Sequence, residues 1–325
     1  RVRVDVDVPE GGLLRFDALG VPPEGADPAV ARDGQAIVVH VVVDGSSEAL
    51  GSLRPPDAHP QRVEWSLHRW AGQSITLELQ APPDGTDAHD AVLLASPVVA
   101  VPEASPPRVV MVFIDTLRHD ALSLTGNPNP TTPGLDAWAE EAAVFTNARS
   151  VAPWTLPTAR TLFSGHLPEL WSQREDLPSR LHAAGWSTAF IAGNIYLSSN
   201  FEMARSWGTH RCINWPQAEV QVERARAWLD ENSDQPAFLV LHFMDMHLPY
   251  TEPPEFRDRF AGPTPEPFTS DVFHRNQILK WERKMGDSGR AWLRGRYDNN
   301  LAYIDSVLTP FLDELPEDAT VLVLS

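Results

Sequence analysis

The chain changes its hydrophobic rhythm once. Residues 1–8 alternate charged side chains with Val, the period of a strand with one buried face. Stretches 13–16, 36–43, 63–67, 74–79 and 91–101 predict further strands, separated by Pro-, Gly- and Asp-rich pieces at 21–28, 53–60 and 81–87. Short strands between turn clusters, without a helical period, predict a β-sandwich or jelly roll over 1–101. Three prolines within 102–107 predict an extended linker.

From residue 108 the pattern becomes that of an α/β domain. Unbroken apolar runs at 109–114, 187–192, 238–243 and 320–324 suit parallel strands buried on both faces. Between them lie helical periods. One starts at Thr132-Pro133 with Leu135, Trp138, Ala139 and Ala142 on one face. Others cover 177–184, stopped by Gly185, and 220–229. A last, long one carries Leu293, Tyr297, Leu301, Ile304 and Leu308, with Pro310 bending or ending it. This alternation predicts a mostly parallel sheet covered by helices over 108–325, with ligands off the carboxyl ends of its strands.

Composition narrows the function classes. A net charge of −18 argues against nucleic acid and anionic membrane surfaces as partners. A metal and a few Arg or His residues can still reverse the field locally for a small anionic ester. The single cysteine, Cys212, makes no internal disulfide and reads as a small buried hydrophobe. No run of 18 apolar residues occurs. The chain opens on Arg1 rather than Met, which is compatible with a removed export or anchoring segment.

Chemistry concentrates at the predicted strand ends. The first α/β strand ends in Asp115, and the run at 238–243 leads into Asp245-Met246-His247-Leu248-Pro249-Tyr250. The stretch 152–165 puts Thr155 at the mouth of a helix beginning near Pro157, with Arg160 one turn in. Amides at such a mouth point at an anion. Thr155 is either a capping residue or a nucleophile for a tetrahedral oxyanion ester. Asp115 and Thr155 are hard oxygen ligands for a divalent cation, whose charge can convert a feeble hydroxyl into an alkoxide. His247 either touches substrate or packs against Pro249 and Tyr250. In the first hundred residues, Trp65 and Trp70 suit either a sugar platform or the core. Asp84, Asp87, Asp90 and His89 suit either a cation site or a polar loop.

Five segments in order resemble the sulfatases of the alkaline phosphatase superfamily. Residues 108–120 look like their opening strand and metal-binding Asp, and 131–136 like the segment that follows. The run 155–165 is similar to their nucleophile signature, 243–250 to their substrate-side loop and 297–305 to the helix before their last metal-binding strand. The resemblance implies an alkaline-phosphatase-like fold and metal-dependent hydrolysis of sulfuric or phosphoric esters. Asp115 would be a ligand of Ca, Mn or Zn, Thr155 the nucleophile, and Arg160 and His247 substrate contacts. The substrate would be a small ester or a sulfated or phosphorylated glycan or lipid, met in the periplasm, the cell envelope or outside the cell.

The departures matter as well. Thr155 replaces the Cys or Ser that becomes formylglycine, and resembles the phosphatase, phosphodiesterase and phosphoethanolamine-transferase branches. Ala159 stands where an Arg is usual, Thr116 follows Asp115 where a second Asp is common, and Asn194-Ile195-Tyr196 replace a usual Lys and His. These changes keep two alternatives open: a phospho-group transferase, and an inactive fold that binds glycan. In the family the strand resembling 320–325 runs into Asp-His-Gly, which supplies further metal ligands. The sequence ends at Ser325, so the 325-residue chain is expected to have an incomplete sheet, bind metal poorly and be inactive.

Overall fold

A computed structural model describes residues 2–21, 37–53, 61–80, 91–102, 106–173, 175–265, 268 and 286–325. The chain forms two compact units, residues 1–106 with 234–236, and 107–233 with 237–325. No helix among the described residues is long and apolar enough to cross a membrane.

The first unit is built from β1 (Val2–Asp7), β2 (Leu13–Val21), β3 (Ile37–Val43), β4 (Ser46–Leu53), β5 (Gln61–Ser66), β6 (Ser74–Gln80) and β7 (Ala91–Ala100). They form two antiparallel sheets, ordered β1-β6-β3-β4 and β5-β2-β7. Inward residues of both, among them Phe16, Val39, Val41, Ile75 and Leu77, share one core with Leu67. β4 was not expected, because Ser-Ser-Glu-Ala-Leu-Gly-Ser-Leu lacks apolar alternation. It forms as an edge strand because Asp44 and Gly45, at φ 49° and 80°, make the left-handed two-residue turn that closes a hairpin with β3. Trp65 meets Phe16 edge-on (5.4 Å, 75°), and Trp65 and Trp70 both pack against the core. A Cβ on Gly51 would stand 2.5 Å from the Trp65 ring. Asp84, Asp87, His89 and Asp90 lie outside the described residues.

In the second unit, β8 (Arg108–Ile114), β9 (Ser187–Ala192), β10 (Thr209–Cys212), β11 (Ala237–Phe243) and β12 (Thr320–Leu324) form a parallel sheet ordered β10-β9-β11-β8-β12. The helices are α1 (Pro133–Ala139), α2 (Thr155–Ser164), α3 (Leu177–Ala183), α4 (Ala218–Glu231) and α5 (Asp287–Asp313). α1 stops before Ala142, which therefore falls outside its apolar face. Pro310 lies inside α5, which runs three residues beyond it. β10 was missed because Thr-His-Arg-Cys offers no apolar run; backbone pairing to β9 alone makes it a strand.

Strand alternation sorts the sheet into two faces. Val110, Val112 and Ile114 of β8, with Leu239, Leu241 and Phe243 of β11, pack against residues of α4 and α5. Met111 and Phe113, with Phe238 and Val240, pack on the other face against Leu156, Ala159 and Phe163 of α2. The same parity carries residues 115 and 242 to the face that α2 covers.

Candidate functional site

Thr155 is the first residue of α2, after Trp154 in extended backbone (φ −158°, ψ 161°). Pro157 fills the first turn, where a missing N–H costs nothing. The Thr155 hydroxyl makes no capping bond. It donates to Asp115 Oδ2 at 2.9 Å, so the geometry departs from that of an ordinary helix cap.

Asp115 sits just past the end of β8 and is 5% exposed. Its amide donates to the Phe243 carbonyl at 2.9 Å, which continues the β8–β11 ladder by one bond. Thr116 then turns into the left-handed region (φ 60°), a costly conformation for a β-branched residue. The Tyr297 hydroxyl holds that turn by donating to the Thr116 carbonyl at 2.8 Å while accepting the Arg118 amide at 2.7 Å.

Two hydrogen-bond donors and one imidazole nitrogen converge on one carboxylate oxygen. Besides Thr155, Asn194 Nδ2 donates to Asp115 Oδ2 at 3.0 Å and lies 3.2 Å from Thr155 Oγ1. The Tyr196 amide donates to Asn194 Oδ1 at 3.0 Å, which fixes which end of the amide faces Asp115. His242 Nε2 lies 3.3 Å from the same oxygen. Burial alone would push the Asp115 carboxyl up; the bonds from His242, Asn194 and Thr155 outweigh it and hold the group below its ordinary value. Asp115 is therefore a poor base toward Thr155. The order imidazole–carboxylate–hydroxyl also differs from that of a Ser-His-Asp triad, where the imidazole touches the hydroxyl.

The other expected residues stand differently. Five residues along α2, helix geometry turns Arg160 about 140° from Thr155, and its guanidinium donates to the Phe201 carbonyl at 3.3 Å. Ala159, fully buried, occupies the position one turn above Thr155. His247 packs edge-on against Trp215 (5.1 Å), and its Nδ1 lies 2.7 Å from the Leu248 carbonyl, so Nδ1 carries the proton. Trp215, like Thr116, holds a positive φ (58°). Cys212 is half-buried, donates to the Asn194 carbonyl at 3.2 Å, and has its thiol pushed up by burial.

With this geometry in hand, comparison with known proteins is decisive for the family. A family model described as Sulfatase matches residues 107–325. The chain belongs to the sulfatase family. An ulvan-active sulfatase of Formosa agariphila is 37% identical over 98 residues, 27% of this chain and 19% of that protein. Phosphoethanolamine transferase EptC of Escherichia coli K12 is 24% identical over 176 residues, 49% of this chain and 30% of that protein. The matches thus span less than a third of those relatives. The soluble domain of lipooligosaccharide phosphoethanolamine transferase A of Neisseria meningitidis superposes with a TM-score of 0.53 at 21% identity, covering 67% of this chain and 65% of that one. The periplasmic domain of EptC from Campylobacter jejuni gives 0.52 at 23%, covering 67% and 68%. These structures share the alkaline-phosphatase-like fold.

In a sulfatase-family site, a divalent cation is the implied cofactor. Two oxygens 2.9 Å apart, Asp115 Oδ2 and Thr155 Oγ1, are spaced as neighbouring ligands on a hard cation with bonds of about 2.1 Å. They fit as part of a shell. Among the described residues no cluster of three His, Cys, Asp or Glu gathers to complete it.

The sequence alone did not single out His242, and Asn194 stood out only as a departure from the family pattern. Both were signalled by parity: 190, 192 and 194, like 238, 240 and 242, continue alternations that face α2.

Proposed function

We propose that residues 107–325 carry a site for cleaving or transferring a sulfuryl or phosphoryl group, with Thr155 as nucleophile. The observation that carries this reading is the Thr155 hydroxyl, which opens α2 and donates to the Asp115 carboxylate at 2.9 Å. Asp115 and Thr155 would hold a divalent cation, Ca, Mn or Zn, whose charge lowers the hydroxyl's pKa and draws an ester oxygen. The need for it follows from Asp115 itself, held too acidic to take the threonine proton. Thr155 Oγ then attacks the central atom of the ester in line with the departing alkoxide, forming a covalent Thr ester and releasing the alcohol. Amides at the mouth of α2 face the spreading negative charge. Arg160 and His247 are the side chains assigned to the substrate; with Nδ1 held on the Leu248 carbonyl, His247 Nε2 is the ring nitrogen left to meet it.

Water acting on the Thr ester makes a hydrolase, and an acceptor alcohol makes a transferase. Threonine at 155 favours keeping the second, since it cannot be oxidised to an aldehyde and the transferase EptC aligns over 49% of the chain. The glycan-binding alternative gains nothing from Trp65 and Trp70, which pack against the core.

The test, made in the full-length protein, compares wild type with Thr155→Ala on p-nitrophenyl sulfate, p-nitrophenyl phosphate and bis(p-nitrophenyl) phosphate, with Mn²⁺, Zn²⁺ or Ca²⁺. Loss of at least about a thousandfold in turnover is expected. Acid-quenched wild type should carry one sulfuryl or phosphoryl group on Thr155. Added alcohol raises product only in a transferase. Undiminished turnover in Thr155→Ala would refute the nucleophile.

A further inference from the structure

We propose that His242 is a positioning residue, a fixed Nε2–H donor that holds the Asp115 carboxylate against Thr155. The inference rests on reading Asp115 and Thr155 as the reacting pair. His242 is fully buried in β11, at the centre of the parallel sheet. Its ring stands edge-on to Phe113 (4.9 Å, 86°), and its carbonyl accepts Gln221 Nε2 at 3.0 Å. The Gly193 amide points at Nδ1 (3.4 Å), and Nε2, buried and in hydrogen-bond geometry with no acceptor, has Asp115 Oδ2 opposite it at 3.3 Å.

Electrostatics on both sides decide the tautomer. A proton on Nδ1 would face the Gly193 N–H, donor against donor, and would leave a lone pair on Nε2 facing a carboxylate. A proton on Nε2 suits both contacts, a lone pair toward the Gly193 N–H and an N–H toward the carboxylate. Glycine at 193 is what allows the approach: a Cβ there would stand 3.0 Å from the His242 carbonyl oxygen and 3.1 Å from Met244 Cγ. With Asn194 donating from the next loop, Oδ2 is pinned from two sides, and the carboxylate cannot swing away from the threonine.

The experiment uses the whole chain with ¹⁵N-labelled histidine. The His242 ring signal is identified by its loss in His242→Gln. Protonated Nε2 and bare Nδ1 are expected, with Nε2–H exchange slowed, and roughly tenfold faster exchange in Asp115→Asn. A ring protonated on Nδ1, or an Nε2–H that exchanges alike in both proteins, would overturn the inference. Broadening of amides by Mn²⁺ supplies a second readout. Amides near Asp115 and Thr155 should broaden alike in wild type and His242→Gln, which keeps an N–H donor, and less in His242→Leu, which keeps only volume. Equal broadening in all three overturns the positioning role. If wild type shows none, the cation reading fails, and the tautomer and its coupling to Asp115 still decide the role of His242.

Discussion

Asp245 offers a test of the fold around the site that needs no substrate. It follows β11 by two residues and reaches the start of α4, where the Ala218 amide donates to it; Oδ2 has no hydrogen-bond partner. Tyr303 donates to the neighbouring Glu219 carboxylate, which leaves that charge close to Asp245. Burial, reinforced by Glu219 and only partly offset by backbone N–H groups, pushes the Asp245 carboxyl up to about 7. The folded protein therefore keeps a proton that the unfolded chain has already released. The stability this proton brings is full below the unfolded value of 3.8, falls as pH rises, and is gone above about 7. Holding a carboxyl about three pH units above its free value corresponds to about 4 kcal/mol at most. Asp245 keeps some solvent exposure, and relaxation around a new charge recovers part of that, so about 2 kcal/mol is the working figure.

Asp245→Asn keeps an oxygen for the Ala218 amide and never ionises. In urea unfolding the variant should match wild type near pH 3 and exceed it by about 2 kcal/mol at pH 8. Glu219→Gln should recover a smaller share, because burial is the larger cause. A difference between Asp245→Asn and wild type that does not change with pH would refute the reasoning. So would an Asn variant less stable than wild type at pH 8, which would mean that ionised Asp245 is well solvated.

Glu252 and Arg296, 1% and 2% exposed, form a buried ion pair that Asn300 joins by donating to Glu252 Oε2 at 2.9 Å. Glu252→Ala should lower stability by about 3–5 kcal/mol in urea, and adding Arg296→Met should restore much of it, because the cost lies in the orphaned charge. In the first unit, Gly51→Ala drives a Cβ into the Trp65 ring. A loss of about 1–3 kcal/mol is expected by thermal unfolding, and an unchanged midpoint would mean that β4 shifts freely.

What could be read from the sequence follows from where energy is concentrated. β8, β9 and β11 are buried on both faces, so most of their residues are apolar and the run announces itself. β4 and β10 each pair along one side only, and their formation is decided by a turn and by a neighbour's backbone, neither of which leaves an apolar pattern. The start of α2 was placed two residues late for a related reason. Pro157 marks a first turn, but the helix begins where the Thr155 side chain finds its partner, forty residues away in sequence.

The site itself divides along the same line. Asp115 and Thr155 belong to motifs and could be named from the chain. His242 interrupts an apolar strand, where a lone histidine passes for a satisfied core residue, and its meaning depends on which strands are neighbours. The order β9-β11-β8 supplies that: adjacent strands bring Asn194, His242 and Asp115 to the same end of the sheet, on the face that α2 covers. A polar residue ending one buried strand is ambiguous. Buried polar residues at one end of three adjacent strands, all of one parity, are placed to satisfy one another. Here they do so around the single carboxylate that touches the threonine.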